Sequence, residues 1–518
     1  MSSTREIGMI VGEAKPTEFV FATNEKITRL EYLLIKSTEN VAGKEVDVDI
    51  VAQIYNIYSN SRALMEDIKL SDAEKIKAAG LVDTRTYAKA RVLGFLHNGI
   101  IYQPRRAIQP GNPVYLAPED LLEDFYSYPK DEGLHIGNLI TRPNVPVRMT
   151  LKGFRRHLAI LAQTGAGKSY TAGVLVEELF KKGATVLIID PHADYVFLGN
   201  QKGGGNIDRF DVYRTPESTG RYDDSKIGKK IEPYQIKFSD LSQEEIEKIC
   251  GIQSRWTNIS GALGTALEAL GDGYSLDELL DHLDKMDDPS AMKAKNYVEK
   301  LSYMNVFGTA TTDFEKFLKP KYVSVLDLSG LDDRVSNYIN YRILRDIYDK
   351  AEKGDLEFPI FIFIEEAHRL IPAYDKTMSK RIVKRIAAEG RKFGIFLTLI
   401  TQRPYKIDQD ALSQCNSQII MRMTNPEDQK AIKTSSERVS EDLLEDLPGL
   451  NVGEAVVVGE VTRAPIMVKI RERNTQEGGA DIDIVNKLAE ARQEATQGEE
   501  EKQEKIKEEV DNLKGIME

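Results

Sequence analysis

The stretch Leu161–Leu179, LAQTGAGKSYTAGVLVEEL, runs from an apolar strand through a glycine loop into a helical pattern. Ala162–Ser169 fits a known spacing: Ala or Gly, four arbitrary residues, Gly-Lys, then Ser or Thr. In such a loop the backbone N–H groups turn inward around a phosphate, and the helix that follows aims its positive end at the same point. Gln163, Thr164, Gly165, Ala166, Gly167, Lys168, Ser169 and Tyr170 are therefore the expected nucleotide-binding residues. Lys168 has the reach to touch β- and γ-phosphate oxygens, and the Ser169 hydroxyl is suited to ligating Mg2+. ATP and Mg2+ are the expected cofactors.

Working outward, HLAILAQ ahead of the loop reads as a buried strand, and SYTAGVLVEELFKKG as a helix ending at Gly183. ATVLIIDPHADY reads as a second buried strand that ends at Asp190. Two buried strands joined by one helix imply a parallel sheet. Further on, FPIFIFIEEAH (358–368) closes an apolar run with two carboxylates, which belong at the carboxyl edge beside the phosphate loop. Glu365 is expected to hold the Mg2+ water shell, and Glu366 to orient and deprotonate the attacking water. The plain alternative is two solvent-facing acids at a strand end. FGIFLTLITQRP (393–404) ends a later strand in Gln402, an amide placed to sense the γ-phosphate.

Arg391, in AAEGRKFG, is either a surface charge or a finger reaching a neighbouring subunit's ATP, and the second reading requires a ring. Arg156, just before the first strand, is a similar candidate for contacting nucleotide. Lys168 and Glu365 lie 197 positions apart. A strand–helix–strand path needs on the order of 60 to 100. The excess falls in a helical stretch at about 225–320, read as an insertion.

Residues 1–148 read as a β-rich module, a small barrel or sandwich of short runs between turns. Residues 149–473 form the expected core, and 474–518 a charged tail, helical or partly disordered. The chain of 518 residues carries a net charge of −12, with 41% apolar and 29% charged residues. That balance does not exclude nucleic acid held in a local basic groove. Cys250 and Cys415 lack metal-site spacing. No apolar run suits a membrane span and no leader peptide is evident, so a cytoplasmic protein is expected. In SKRIVKR (379–385), Lys380, Arg381, Lys384 and Arg385 fall near one helix face. They are either phosphate contacts or an ordinary solvated face.

Taken in order, the β-rich start, RRHLAILAQTGAGKS, IDPHADY, FIEEAH, EGRKFGIFLTLITQRP and LNVGEAVVVG resemble the HerA family of archaeal DNA translocases, within the wider HerA–FtsK group. The likeness spans about residues 5–470. It implies an α/β RecA-like P-loop ATPase core with a helical insertion, an N-terminal all-β barrel and a charged C-terminal helical tail. It further implies a homo-hexameric ring (a heptamer being the variant), double-stranded DNA in the ring channel, and a NurA-like nuclease partner in DNA end resection. Carried over by motif, Lys168 and Ser169 hold nucleotide, Glu365 and Glu366 are the acidic pair, Gln402 is the sensor and Arg391 the trans-acting finger. Arg156 matches a family arginine ahead of the loop. Relatives tend to carry Glu where this chain has Asp194, so Asp194 receives no role. The alternatives are a ring ATPase moving protein, an FtsK-type DNA pump, a nucleotide switch and a RecA-type recombinase.

Overall fold

Short apolar runs separated by turns build a closed barrel at the amino end of the computed structural model. The structure describes residues 5–478 other than 66, 305, 437 and 440, together with 484–495 and 502. The barrel strands are β1(Glu6–Val11), β2(Glu18–Thr23), β3(Tyr32–Val41), β4(Lys44–Ser61), β5(Thr84–His97), β6(Ile100–Tyr102) and β7(Pro113–Leu116). Their order is β2-β1-β7-β3-β4-β5-β6, and β5 also pairs with β2, which closes the circle and leaves β6 as a hairpin outside it. Ala42 and Gly43 both sit at positive φ, 52° and 86°, the geometry that turns one strand straight back along the next. Phe21, Leu33, Ile35, Ile50 and Ala90 fill the interior.

The remainder is organised on one 12-stranded sheet. Its strands are β8(Gly133–Leu139), β9(Arg142–Thr150), β10(Leu158–Leu161), β11(Thr185–Asp190), β12(Phe210–Arg214) and β13(Glu232–Pro233), then β16 to β21. A separate ribbon pairs β14(Ile236–Lys237) with β15(Phe307–Gly308). The later strands are β16(Val323–Asp327), β17(Ile360–Ile364), β18(Ile395–Thr401), β19(Ser417–Met421), β20(Glu454–Val458) and β21(Ile466–Ile470). The order is β13-β12-β16-β11-β17-β18-β10-β19-β20-β21-β8-β9. Pairing is parallel from β13 to β19 and antiparallel from there to β9. Every residue of TVLIID and of IFIFI is buried, as strands covered on both faces require.

Three sequence expectations meet the structure differently. The division expected at 148 falls inside the large sheet, because β8 pairs with β21 through Leu139 and Val468 and brings β9 with it. Between 225 and 320, helices Gln243–Cys250, Thr257–Leu270, Leu276–Lys285 and Pro289–Val298 lie between the two ribbon strands. Ser242 and Ser275 start two of them with capping boxes. The tail expected from 474 onward, helical or partly disordered, packs against the core in extended form as far as 478. Its amides at Asn474 and Thr475 both donate at 2.9 Å to the buried carboxylate of Glu177, on the helix Lys168–Lys181. A buried carboxylate needs donors, and this segment supplies them. Residues 484–495 are helical, and the rest of the expected tail lies outside the described residues. Among the described residues, no helix is long and apolar enough to cross a membrane.

Candidate nucleotide site

β10 ends at Leu161, and the chain turns through Gln163–Gly167 into the helix Lys168–Lys181. Gly165 and Gly167 adopt φ of 76° and 103°, conformations that glycine takes at little steric cost. A Cβ built at Gly165 would meet nothing within 4 Å, so the loop is open on that side. The helix starts at Lys168, which leaves its first amides without intrahelical partners and directed into that space.

The acidic pair arrives from β17, although not from the strand next to the loop. β18 lies between β10 and β17, a placement that the spacing of motifs along the chain does not reveal. Leu161 registers with Thr401, so Gln402 leaves β18 beside the loop, where its amide oxygen accepts the Thr164 hydroxyl. Lys168 Nζ forms ion pairs with Glu365 and, at 3.0 Å, with Glu366. Both acids are buried, which excludes the solvent-facing alternative. Burial works against the charge on Lys168, yet the two carboxylates hold its pKa above the ordinary value.

Glu366 sits in the left-handed region at φ 49° and ψ 45°, a strained conformation for a residue with a side chain. Burial opposes its ionisation, but His368 and Lys168 hold the carboxyl down at about 2. His368 Nδ1 bonds the Thr401 hydroxyl at 3.0 Å and lies 3.1 Å from Glu366 Oε2. It thereby ties the acid of β17 to the end of β18. Oε2 is left buried without an aligned donor.

The structure adds residues that sequence reasoning passed over. Ser169 Oγ donates to Asp194 Oδ2 at 3.0 Å, so Asp194 reaches the phosphate loop after all. Tyr195 donates its hydroxyl to Glu365 Oε2. Asp190 accepts the amides of His192 and Tyr195 at 3.1 and 2.9 Å, and burial with Asp194 nearby raises its pKa well above the usual range. IDPHADY and FIEEAH both held a signal: each crowds polar groups directly after a buried strand. The other loop residues are close by in different ways. Gln163 accepts the Thr424 hydroxyl at 3.0 Å, while Tyr170 turns its hydroxyl to the Arg473 amide at 2.7 Å, away from the loop.

Other expected residues are not brought together. Arg156 and Arg391 stand before β10 and β18, at the amino edge of the sheet. Strand β18 is seven residues long, which puts roughly 20 Å between that edge and the loop. Arg156 pairs with Glu460 at 3.3 Å, and Arg391 is exposed. The basic helix face is largely engaged within the chain. Lys380 pairs with Asp408 at 3.2 Å, Lys384 with Asp410 at 2.8 Å and Arg385 with Glu352 at 2.7 Å. Arg381 remains exposed without a carboxylate partner among the described residues.

A glycine loop between a parallel strand and a helix, its lysine clasped by two acids from another strand of the same sheet, defines a P-loop nucleoside-triphosphatase. The sequence profile described as "Helicase HerA, central domain" matches residues 134–347, and that of "Helicase HerA-like C-terminal" matches 299–512. The chain belongs to the HerA helicase family. The DNA double-strand break repair helicase HerA of Saccharolobus solfataricus is 31% identical over 493 residues, 92% of this chain and 95% of that protein. Its namesake from Pyrococcus furiosus is 29% identical over 559 residues, 93% of this chain and 96% of that one. A solved structure of VirB4 of Thermoanaerobacter pseudethanolicus, 16% identical, covers 67% of this chain and 98% of its own, with a TM-score of 0.48.

Proposed function

We propose that the chain hydrolyses ATP to drive double-stranded DNA through a homo-hexameric ring, working beside a NurA-like nuclease in DNA end resection. The observation that carries the reading is Lys168 clasped by Glu365 and Glu366, with Gln402 on Thr164. A protein that only transfers phosphate or reports nucleotide state does not need a second, buried acid at this point. Family membership supplies the direction, because curated relatives carry the name DNA double-strand break repair helicase.

The residues fit a triphosphate with a divalent cation: a glycine loop open on its outer side, a lysine, a hydroxyl and two buried carboxylates. Mg2+, held at Ser169 and Glu365, would neutralise charge on the phosphate oxygens. Lys168 would exchange its two carboxylate partners for phosphate oxygens. Its withdrawal matters to Glu366, which is too weak a base while its pKa is near 2. Losing the lysine's charge raises that pKa and frees the carboxylate to take a proton from water. His368 keeps the acid oriented from the far side. Arg156 and Arg391, at the opposite edge, would serve the neighbouring subunit's site.

The test is steady-state ATP hydrolysis with and without long linear duplex DNA, for wild type and Glu366→Gln, at low and high salt. Stimulation by DNA that salt weakens and the variant loses is the expected result. Turnover indifferent to DNA at every salt concentration would overturn the translocase reading and leave an ATPase with another substrate.

A further inference from the structure

We infer that His157 is a positioning residue that locks Arg156 and Arg391 into one unit facing the neighbouring subunit's nucleotide, an assignment that rests on the ring reading above. The two arginines come from separate elements. Arg156 ends the 3-10 turn Leu151–Arg156 ahead of β10, and Arg391 lies in the 3-10 turn Gly390–Phe393 ahead of β18. β10 and β18 are in register from Leu158 and Thr398 onward, so His157 falls opposite Leu397, one step before that ladder begins. There the imidazole stands in for a backbone carbonyl: its Nδ1 accepts the Leu397 amide at 2.9 Å. That bond fixes the tautomer and leaves the proton on Nε2. Nε2 is buried without an aligned partner and lies against the backbone of Ile386 and Ala387. Both belong to the end of the helix Met378–Glu389, which runs straight into the Arg391 turn. The Gly390 amide donates to the Ile386 carbonyl at the same place. One ring therefore meets the start of β18 and the end of the helix before it, with Arg391 on the connection between them.

The backbone of His157 adopts φ 59° and ψ 164°, a region that residues with a side chain rarely occupy. Glycine would take it at little steric cost, yet a buried imidazole stands there. Packing alone would be served by an apolar residue of the same size; the Leu397 amide needs an acceptor. Arg156 is clamped from the other side. Its carbonyl accepts the Asn416 amide at 3.0 Å, and its turn packs so closely on Val461 that a Cβ at Gly153 would come within 2.4 Å of that backbone. Burial pulls the His157 pKa down to about 4; the backbone of Ala387 and Ile386 opposes the fall, and the Arg391 charge adds to it. The ring is thus neutral at physiological pH, a hydrogen-bonding strut that does not repel the arginines beside it.

β10 also leads from His157 into the chain's own phosphate loop, so the experiment must separate an effect on the neighbour's site from one on the chain's own.

The experiment is complementation between co-assembled full chains, read as ATP hydrolysis, with affinity for a fluorescent ATP analogue and unfolding midpoint measured alongside. Two variants remove the acceptor: His157→Gly, which takes the observed backbone freely, and His157→Leu, which keeps the bulk. In each, kcat is expected to fall roughly tenfold or more while nucleotide affinity holds. His157→Asn, which keeps an acceptor near the place of Nδ1, is expected to restore most of the rate. Glu366→Gln chains should rescue the His157 variants, because they bring intact arginines to an intact acid. Arg391→Ala chains should not, because no junction in that mixture has an intact arginine edge. Any other pattern of rescue would overturn the inference. Rescue by Arg391→Ala and none by Glu366→Gln, for instance, would place the effect on the chain's own phosphate loop. Turnover at the wild-type rate would overturn it too. Arg391→Ala mixed with Glu366→Gln is the control; absence of rescue there, with wild type active, would overturn the ring reading beneath.

Discussion

The Ser169 hydroxyl donates to Asp194 Oδ2 across 3.0 Å, which joins the phosphate loop to the loop that follows β11. The bond fixes the rotation of Oγ and so decides where its lone pairs face. Asp194→Ala should raise the Mg2+ concentration that half-saturates ATP hydrolysis by roughly fivefold, the equivalent of one hydrogen bond at about 1 kcal/mol. A Mg2+ titration at saturating ATP reads this directly. An unchanged midpoint would remove Asp194 from the site.

Glu366 carries a pH signature. Its carboxyl falls from an ordinary 4.5 to about 2 in the folded chain, so the unfolded chain binds a proton that the folded chain refuses between those values. The resulting stability is present above pH 4.5 and is lost as pH falls towards 2. In Glu366→Gln the decline over that window should be shallower by up to one proton, about 1.4 kcal/mol per pH unit. Urea unfolding at a series of pH values would show it, and parallel profiles would refute it.

Lys380 holds its own loop by donating to three of its carbonyls, and that role separates cleanly from the nucleic-acid contact considered from the sequence. Lys380→Met leaves the carbonyls of Pro372, Ala373 and Asp375 without their donor. Trypsin should then cut after Lys376 several-fold faster, while the salt slope of duplex binding holds its wild-type value. A slope reduced by about 1 with cleavage unchanged would reverse the assignment.

Arg391→Ala and Glu366→Gln chains should rescue one another when mixed. At a mixed contact, the intact acid of one chain meets the intact arginine of the other. Activity in the mixture should exceed that of either variant alone. Activity that stays at the weighted average of the two variants, with no rescue at any ratio, would place Arg391 outside the reaction.

The nucleotide loop, the acidic pair and Gln402 were legible because each is a local event, a polar group set directly at the end of a buried strand. The packing between those strands was not. Sequence order cannot reveal that β18 stands between β10 and β17, since parallel strands are joined by crossovers of any span. Asp194 was set aside because it departs from its relatives' glutamate, whereas the structure decides on position and brings it to Ser169. The pairing of the basic face at 379–385 was hidden for a related reason. The carboxylates that pair with Lys380, Lys384 and Arg385 lie far along the chain, at Asp408, Asp410 and Glu352, and only the fold brings them there, while Arg381 stays exposed. The barrel was readable from its turns, but its boundary was not, because β8 and β9 are recruited by β21 from the distant carboxyl end.

Arg156 and Arg391 stand at one edge of the sheet and the phosphate loop at the other, which makes each chain a two-ended object. Copies related by a two-fold axis would present like edges to each other and gain nothing. Only head-to-tail contact, repeated with a constant turn until it closes, would set arginine against phosphate at every junction. On the ring proposed above, catalysis would belong to the junction and not to the chain, and dilution should silence hydrolysis while each separated copy stays folded.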